Sequence, residues 1–338
     1  VKYLTDPSVF CYIVHKISIV RRTHLLKTTM PSVLRSRGAA KGSDVFMLDV
    51  TTLDLAVIGL YLLFMLLVGV WFVGRVKNAD DYYVAGRTLG SMVLAATVCA
   101  TIIGGSAMMG RAGIAYTTGF KAVATAIPYM IGMFIFSAYA GRIQQVGERY
   151  KIESIPELFN YRFGTAPKCV LAAMVAFAMV GTVAAQVTAT ATIIRLLGGQ
   201  IGISYEMGAF IATLIFIIYT AASGLFGVVY TDVLQFFMLV IFVYLLIPVS
   251  SINFLGGFDV FWANLDKSYI TPYMDGQILG DVVTYLVFTM AGAEMWQRAF
   301  AAKNQKAARR GMFWGTAVYA VTIALLFLMG LALSLIHI

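Results

Sequence analysis

The run Ala100-Thr101-Ile102-Ile103-Gly104-Gly105-Ser106-Ala107 sets two adjacent glycines between hydroxyl residues inside a long apolar stretch. Paired glycines weaken a helix, and neighbouring carbonyls can then turn away from its axis. Irregular backbone at membrane depth is tolerated only where it is buried in protein or lines a cavity. Freed carbonyls beside hydroxyls are hard oxygen ligands suited to a small cation. The same small residues also let two helices pack closely, so this motif alone leaves both readings open. One turn further on, Arg111 puts a cation inside the same stretch. Such a residue faces a cavity or pairs with a partner. It could attract an anionic solute group, or it could snorkel or pair with a structural acid.

Three further groups could carry chemistry. Asp232 lies in Val229-Tyr230-Thr231-Asp232-Val233-Leu234-Gln235, at the start of an apolar run. It reads either as part of a cation path or as a first-turn acid favoured by the helix dipole. Glu294 and Arg298 are four positions apart and are expected to pair on one helix face. Tyr285 and Phe288 sit mid-run, one turn apart, where packing is the default reading. A P-loop, an HExxH motif and a nucleophile–histidine arrangement are all absent, so neither ATP hydrolysis nor an embedded enzyme is indicated. The basic run 298–310 reads as a loop flanking the membrane and not as a nucleic-acid site.

The elements that must position these residues follow from composition. Of the 338 residues, 60% are hydrophobic and only 12% are charged. A soluble globular chain has about 45–50% and about 25%, and a soluble core could not hide this much apolar surface behind so few charges. The apolar runs are about 20 residues long, the length a helix needs to cross a bilayer. The expected class is therefore an all-α polytopic membrane protein. Eight spans are predicted, over 52–74, 89–117, 121–142, 168–195, 205–222, 228–250, 279–300 and from 311 onward. The longest polar connections are expected at 142–168 and 251–278.

Lys/Arg counting orients the spans. With Met47 outside, the inside loops carry thirteen of the 17 Lys/Arg that follow residue 46, and the outside carries three. This predicts that the end near Met47 lies outside, and the expected setting is a bacterial inner membrane. Both ends of the chain read as non-native. Residues 1–46 hold eight Lys/Arg against two acids and supply +6 of the net +9, and Met47 is the first plausible start. The end, Leu333–Ile338, can be encoded by a string resembling a sequencing-library adapter and falls inside a hydrophobic helix. Residues 1–46 are thus expected to be a translated leader or basic extension, and 47–338 a transporter domain cut before its natural end.

Four motifs carry a family resemblance. They are Asp80-Asp81-Tyr82-Tyr83-Val84-Ala85-Gly86-Arg87; Ile155-Pro156-Glu157-Leu158-Phe159 with Arg162-Phe163-Gly164; Ser223-Gly224-Leu225 through Gln235; and Gln297-Arg298 with Ala301-Ala302-Lys303. In this order they resemble the sodium:solute symporters, with some likeness to the choline-transporter-like branch. Ser223 departs from the pattern, where the family usually has Gly.

The resemblance implies a sodium-coupled importer of a small polar organic solute with the LeuT-type inverted-repeat fold. An extra N-terminal span and about seven of ten core helices would be present. It implies that Na+ is the coupling ion, bound in part by the backbone carbonyls of Ala100 and Ile103. Asp232 would lie on the sodium path. Ser106, Ala107, Tyr285 and Phe288 would contact or gate the solute, with Arg111 a further pocket candidate. The expected partners are the solute and the lipid bilayer, with no nucleic acid; oligomeric state is not legible. A proton-coupled transporter of the same fold and a non-transporting sensor or scaffold are the alternatives. A channel would need more polar lining than these spans supply.

Overall fold

A computed structural model describes residues 51–119, 121–198, 202–265, 269 and 276–337. The leader expected over 1–46, and Met47, lie outside the described residues.

The described chain is helical. In order come α1 (Thr52–Val73), α2 (Ala79–Val84), α3 (Ser91–Ile102), α4 (Gly105–Thr118), α5 (Lys121–Tyr150), α6 (Ile155–Phe163) and α7 (Thr165–Gly198). Then follow α8 (Tyr205–Leu239), a π-helical stretch (Val240–Leu246), α9 (Ile247–Phe254), α10 (Phe258–Asn264), α11 (Gly276–Ala291), α12 (Ala293–Ala301) and α13 (Gln305–His337). Five helical stretches among the described residues are long and apolar enough to cross a membrane, and α3 with α4 adds a sixth, broken one.

One of the five, Tyr205–Phe254, is 50 residues long and folds back on itself as two arms. The chain turns at Gly224, whose φ of 53° and ψ of −149° are closed to most side chains. The neighbours on α1 show the reversal. Tyr219 packs on Gly69, Tyr230 stacks on Phe72 at 4.4 Å, and Gln235 Nε2 donates to the Tyr61 hydroxyl at 3.3 Å. After Gly224 the chain therefore climbs α1 toward its N-terminus.

The seventh expected crossing is also two helices, α11 and α12, which meet at Gly292. The sequence reading treated 279–300 as continuous and missed this break. Trp296 Nε1 donates to the Met290 carbonyl at 2.9 Å and so satisfies one acceptor at the end of α11. The connection expected over 142–168 is largely helical as well. Helix α5 runs on to Tyr150, and Pro156 in the first turn of α6 suits a helix start.

The core lies where α3, α5, α12 and α13 meet. Leu94, Val98, Phe136, Met295, Phe300 and Met312 are almost wholly buried there. Small residues allow the approach. A Cβ on Gly315 would stand 2.8 Å from Val98 Cγ1 and 3.0 Å from the Ala95 carbonyl oxygen.

Candidate functional site

Helix α3 ends where the paired glycines predict. Ile102 is its last residue, Ile103 leaves the helical region at φ −93° and ψ 50°, and α4 restarts at Gly105 with a bend of 59°. The helical ladder closes with the Ile103 N–H donating to Cys99 O at 3.0 Å. The final carbonyls of a helix lack partners of their own and carry its negative dipole end. Ala100 and Ile103, at this end, line a cavity of about 380 Å³ together with Tyr61, Gly105 and Gln235. An oxygen-rich helix end beside a cavity favours a small cation.

The restart of α4 is held by a residue the sequence reading passed over. Gln186, mid-way along α7, accepts from the Ser106 N–H through Oε1 at 3.2 Å. Gly104 offers no capping side chain to α4, so Gln186 caps the helix from outside. Its amide sits so near Gly104 that a Cβ there would stand 2.3 Å from Nε2. The signal was present: Gln186 is the one amide side chain in the apolar run 165–198, and polar residues inside spans are functional candidates by default.

Asp232 forms a buried ion pair. It is eight positions past the Gly224 turn and 7% exposed, so the reading as a first-turn acid fails. Arg298 Nη2 donates to Asp232 Oδ2 at 3.3 Å. Thr97 and Thr101, from α3, complete the cluster. Both hydroxyls donate to Asp232 Oδ2, Arg298 Nε donates to Thr97 Oγ1 at 3.2 Å, and Nη2 also reaches Thr101 Oγ1. Two charges at this depth are tolerable only when paired and hydrogen-bonded. The cluster joins α3, the second arm of α8 and α12 just short of the α3 break.

The pairing expected between Glu294 and Arg298 is not the one formed. Arg298 Nη1 donates to the Glu294 backbone carbonyl at 3.2 Å, while its ionic partner is Asp232. Asp232 wins because it faces Arg298 across the interior. The Glu294 side chain folds back near Gly292, and its Oε2 is buried with no hydrogen-bond partner among the described residues.

The other predicted residues divide. Arg111 stands over the Tyr285 ring at 5.5 Å, so two of the pocket candidates meet across α4 and α11. Ser106 and Ala107 are half-buried in the first turn of α4. Phe288 is 50% exposed, away from the buried face that carries Thr289.

The motifs interlock on the side that carries most of the Lys/Arg loops. Arg87 pairs with Asp80 at 3.2 Å and also donates to the carbonyls of Phe300 at 3.4 Å and Ile152 at 3.2 Å. Gln297 Nε2 donates to Tyr83 O at 2.7 Å. A short parallel bridge joins Leu89 to Ala302, flanked by Leu89 N to Ala301 O and Lys303 N to Leu89 O. Residues more than 200 positions apart are thereby tied backbone to backbone. In the same clamp, burial raises the Glu153 carboxyl above its ordinary range. Its hydrogen bond with Asp80 and repulsion from Glu157 and Asp80 add to this, and Arg87 opposes it.

Known proteins agree with this architecture. The profile of the sodium:solute symporter family matches residues 82–336. The sodium/pantothenate symporter of Haemophilus influenzae is 28% identical over 263 residues, 74% of this chain and 54% of that protein. The sodium/proline symporter of Salmonella typhimurium is 30% identical over 203 residues, 59% of this chain and 40% of that protein. The human high affinity choline transporter 1 is 24% identical over 73% of this chain and 43% of that protein, so no one branch stands out. The chain thus spans about half the length of these relatives. A solved structure of a Na+-coupled sialic acid symporter, in a substrate-bound outward-open state, superposes with a TM-score of 0.70 at 23% identity. It covers 84% of this chain and 60% of that one, and shares its LeuT-type fold. On its motifs, its fold and the match over 82–336, this chain belongs to the sodium:solute symporter family, whose members are multi-pass membrane transporters and not enzymes.

Proposed function

We propose that the chain is part of a sodium-coupled symporter that imports a small polar organic solute by alternating access. The observation that carries the reading is the broken α3–α4 crossing beside its cavity. Sodium would seat against the carbonyls of Ala100 and Ile103, where the α3 dipole end favours a cation. Asp232 would lie on the sodium path. Thr97 and Thr101 supply hydroxyls between Asp232 and the break, and Arg298 is the ionic partner of the carboxylate. The α4 start, with Ser106 and Ala107, and the Arg111–Tyr285 pair would face the solute, with Phe288 at the margin. Coupling requires only that sodium bind one conformation better than the other. The proposed setting is the bacterial inner membrane, with the start of α1 outside, as the Lys/Arg bias supports.

The test is uptake into proteoliposomes by the full-length symporter carrying this sequence. Labelled proline, pantothenate and choline serve as probes because related transporters are named for them. An inward sodium gradient is expected to stimulate uptake of one probe class, and Asp232→Ala to abolish the stimulation. Uptake driven equally by a proton gradient without sodium would replace this reading with the proton-coupled one. Correctly folded protein that responds to neither gradient would favour a sensor or scaffold.

A further inference from the structure

Helices α5 and α13 flank a cleft of about 1030 Å³ that the sodium and solute sites do not use. Its mouth is lined by Arg142 of α5 and by Lys306, Arg309 and Arg310 of α13. Deeper along the same helices, Phe134 and Phe313 face each other with ring centroids 5.5 Å apart. Trp314 lies beside Phe313 at 5.7 Å and is 60% exposed. Charge and ring are therefore separated along the cleft. From Arg142 back to Phe134 is eight residues, about 12 Å of helix. From Arg310 to Trp314 is about one turn.

We infer that this cleft binds an anionic phospholipid, with the phosphodiester at the cationic mouth and an acyl chain against Phe134 and Phe313. Charge complementarity carries the inference. Residues 303–338 contain no Asp or Glu, and none of the four mouth cations forms an ion pair among the described residues. The N-terminal end of α13 adds its positive dipole at the same place. Arg142 stretches over the Tyr139 ring, its guanidinium 6.0 Å from the centroid, which keeps that cation at the mouth. Lys/Arg loops alone account for orientation, but they require no cavity and no aromatic floor. Basic pockets between helices at this level are suited to acidic lipid head groups. A free phosphate would use the mouth and leave the aromatic floor empty.

Native mass spectrometry of the full-length symporter, titrated with phosphatidylglycerol and separately with phosphatidylcholine, tests this. One phosphatidylglycerol adduct is expected to persist where phosphatidylcholine is shed. Arg309→Gln with Arg310→Gln should weaken that adduct about 30-fold, at roughly one decade for each 1.4 kcal/mol and about 1 kcal/mol per cation. Arg149→Gln with Arg162→Gln removes the same charge outside the cleft and should leave the adduct intact. Phe313→Ala should weaken it without altering charge, and the thermal midpoint of each variant reports folding. Equal losses in the cleft and control pairs would overturn the proposal, as would an unmoved adduct in folded Arg309→Gln/Arg310→Gln protein. Displacement of the lipid by glycerol phosphate at the concentration that lipid itself requires would also overturn it, making the site one for free anions.

Discussion

Arg298 shows how little a side chain's sequence neighbours determine once three helices converge. Four positions from Glu294, it nonetheless takes Asp232 as its ionic partner, because the interior offers no water to share the charge. Removing one partner leaves the other charge buried and unpaired. Arg298→Met is expected to cost about 3–5 kcal/mol of stability, and Asp232→Asn a comparable amount, whereas the double variant should cost less than the two changes summed. Thermal midpoints in detergent for the complete cycle check this; additive losses would mean the pair does not act as one unit. Gln186→Leu leaves the Ser106 N–H without its acceptor. It is expected to cost about 1 kcal/mol and, if the α4 start faces sodium and solute, to raise the sodium concentration needed for half-maximal uptake. Uptake measured against sodium concentration separates the two effects.

At the scale of elements, the chain changes direction at three glycines within its apolar stretches. Two breaks, at Gly104 and Gly292, open helix ends toward the interior, and the turn at Gly224 reverses the chain. At Gly224 a side chain meets both an unfavourable φ and a neighbour: its Cβ would stand 2.6 Å from the Tyr82 carbonyl oxygen. Gly224→Val is therefore expected to cost upward of about 2 kcal/mol and to loosen α2 from the α8 turn. Hydrogen exchange over 79–87 should rise in the variant, and unchanged protection would show that α2 does not depend on the turn.

At the scale of the molecule, the Arg87 clamp joins the first inner connection to the last. Glu153 sits in it with a raised carboxyl, so the folded state holds its proton to higher pH than the unfolded chain does. The sign follows: its contribution is favourable below the ordinary carboxylate range and is lost as pH rises through the raised value. Glu153→Gln should melt at the same temperature as the parent in mild acid and slightly higher at neutral pH, a small effect because the group is only partly buried and solvent screens its charge. Melting curves across that range measure it, and an opposite trend would show that Arg87 dominates the site. Orientation belongs to this scale too. Asn160, exposed on α6, lies on the Lys/Arg-rich side. In Asn160→Cys, an impermeant maleimide is expected to label the new thiol in inverted vesicles and not in intact cells.

The sequence by itself determined the helical membrane class and the family. Apolar length and charge asymmetry act locally along the chain, so the crossings over 52–74, 205–222 and from 311 onward could be read without knowing their neighbours. A weak point at Gly104 was legible for the same reason, since two adjacent glycines weaken any helix that contains them, although the motif alone also suited close helix packing. What only the tertiary structure decided was pairing. Arg298 chose between two carboxylates, Gln186 capped a helix some 80 positions away, and Gly292 opened a crossing that carries a single glycine at that point. Each outcome rests on distances between separate helices in a medium without water. There, a polar group must take whichever partner the packing brings to it.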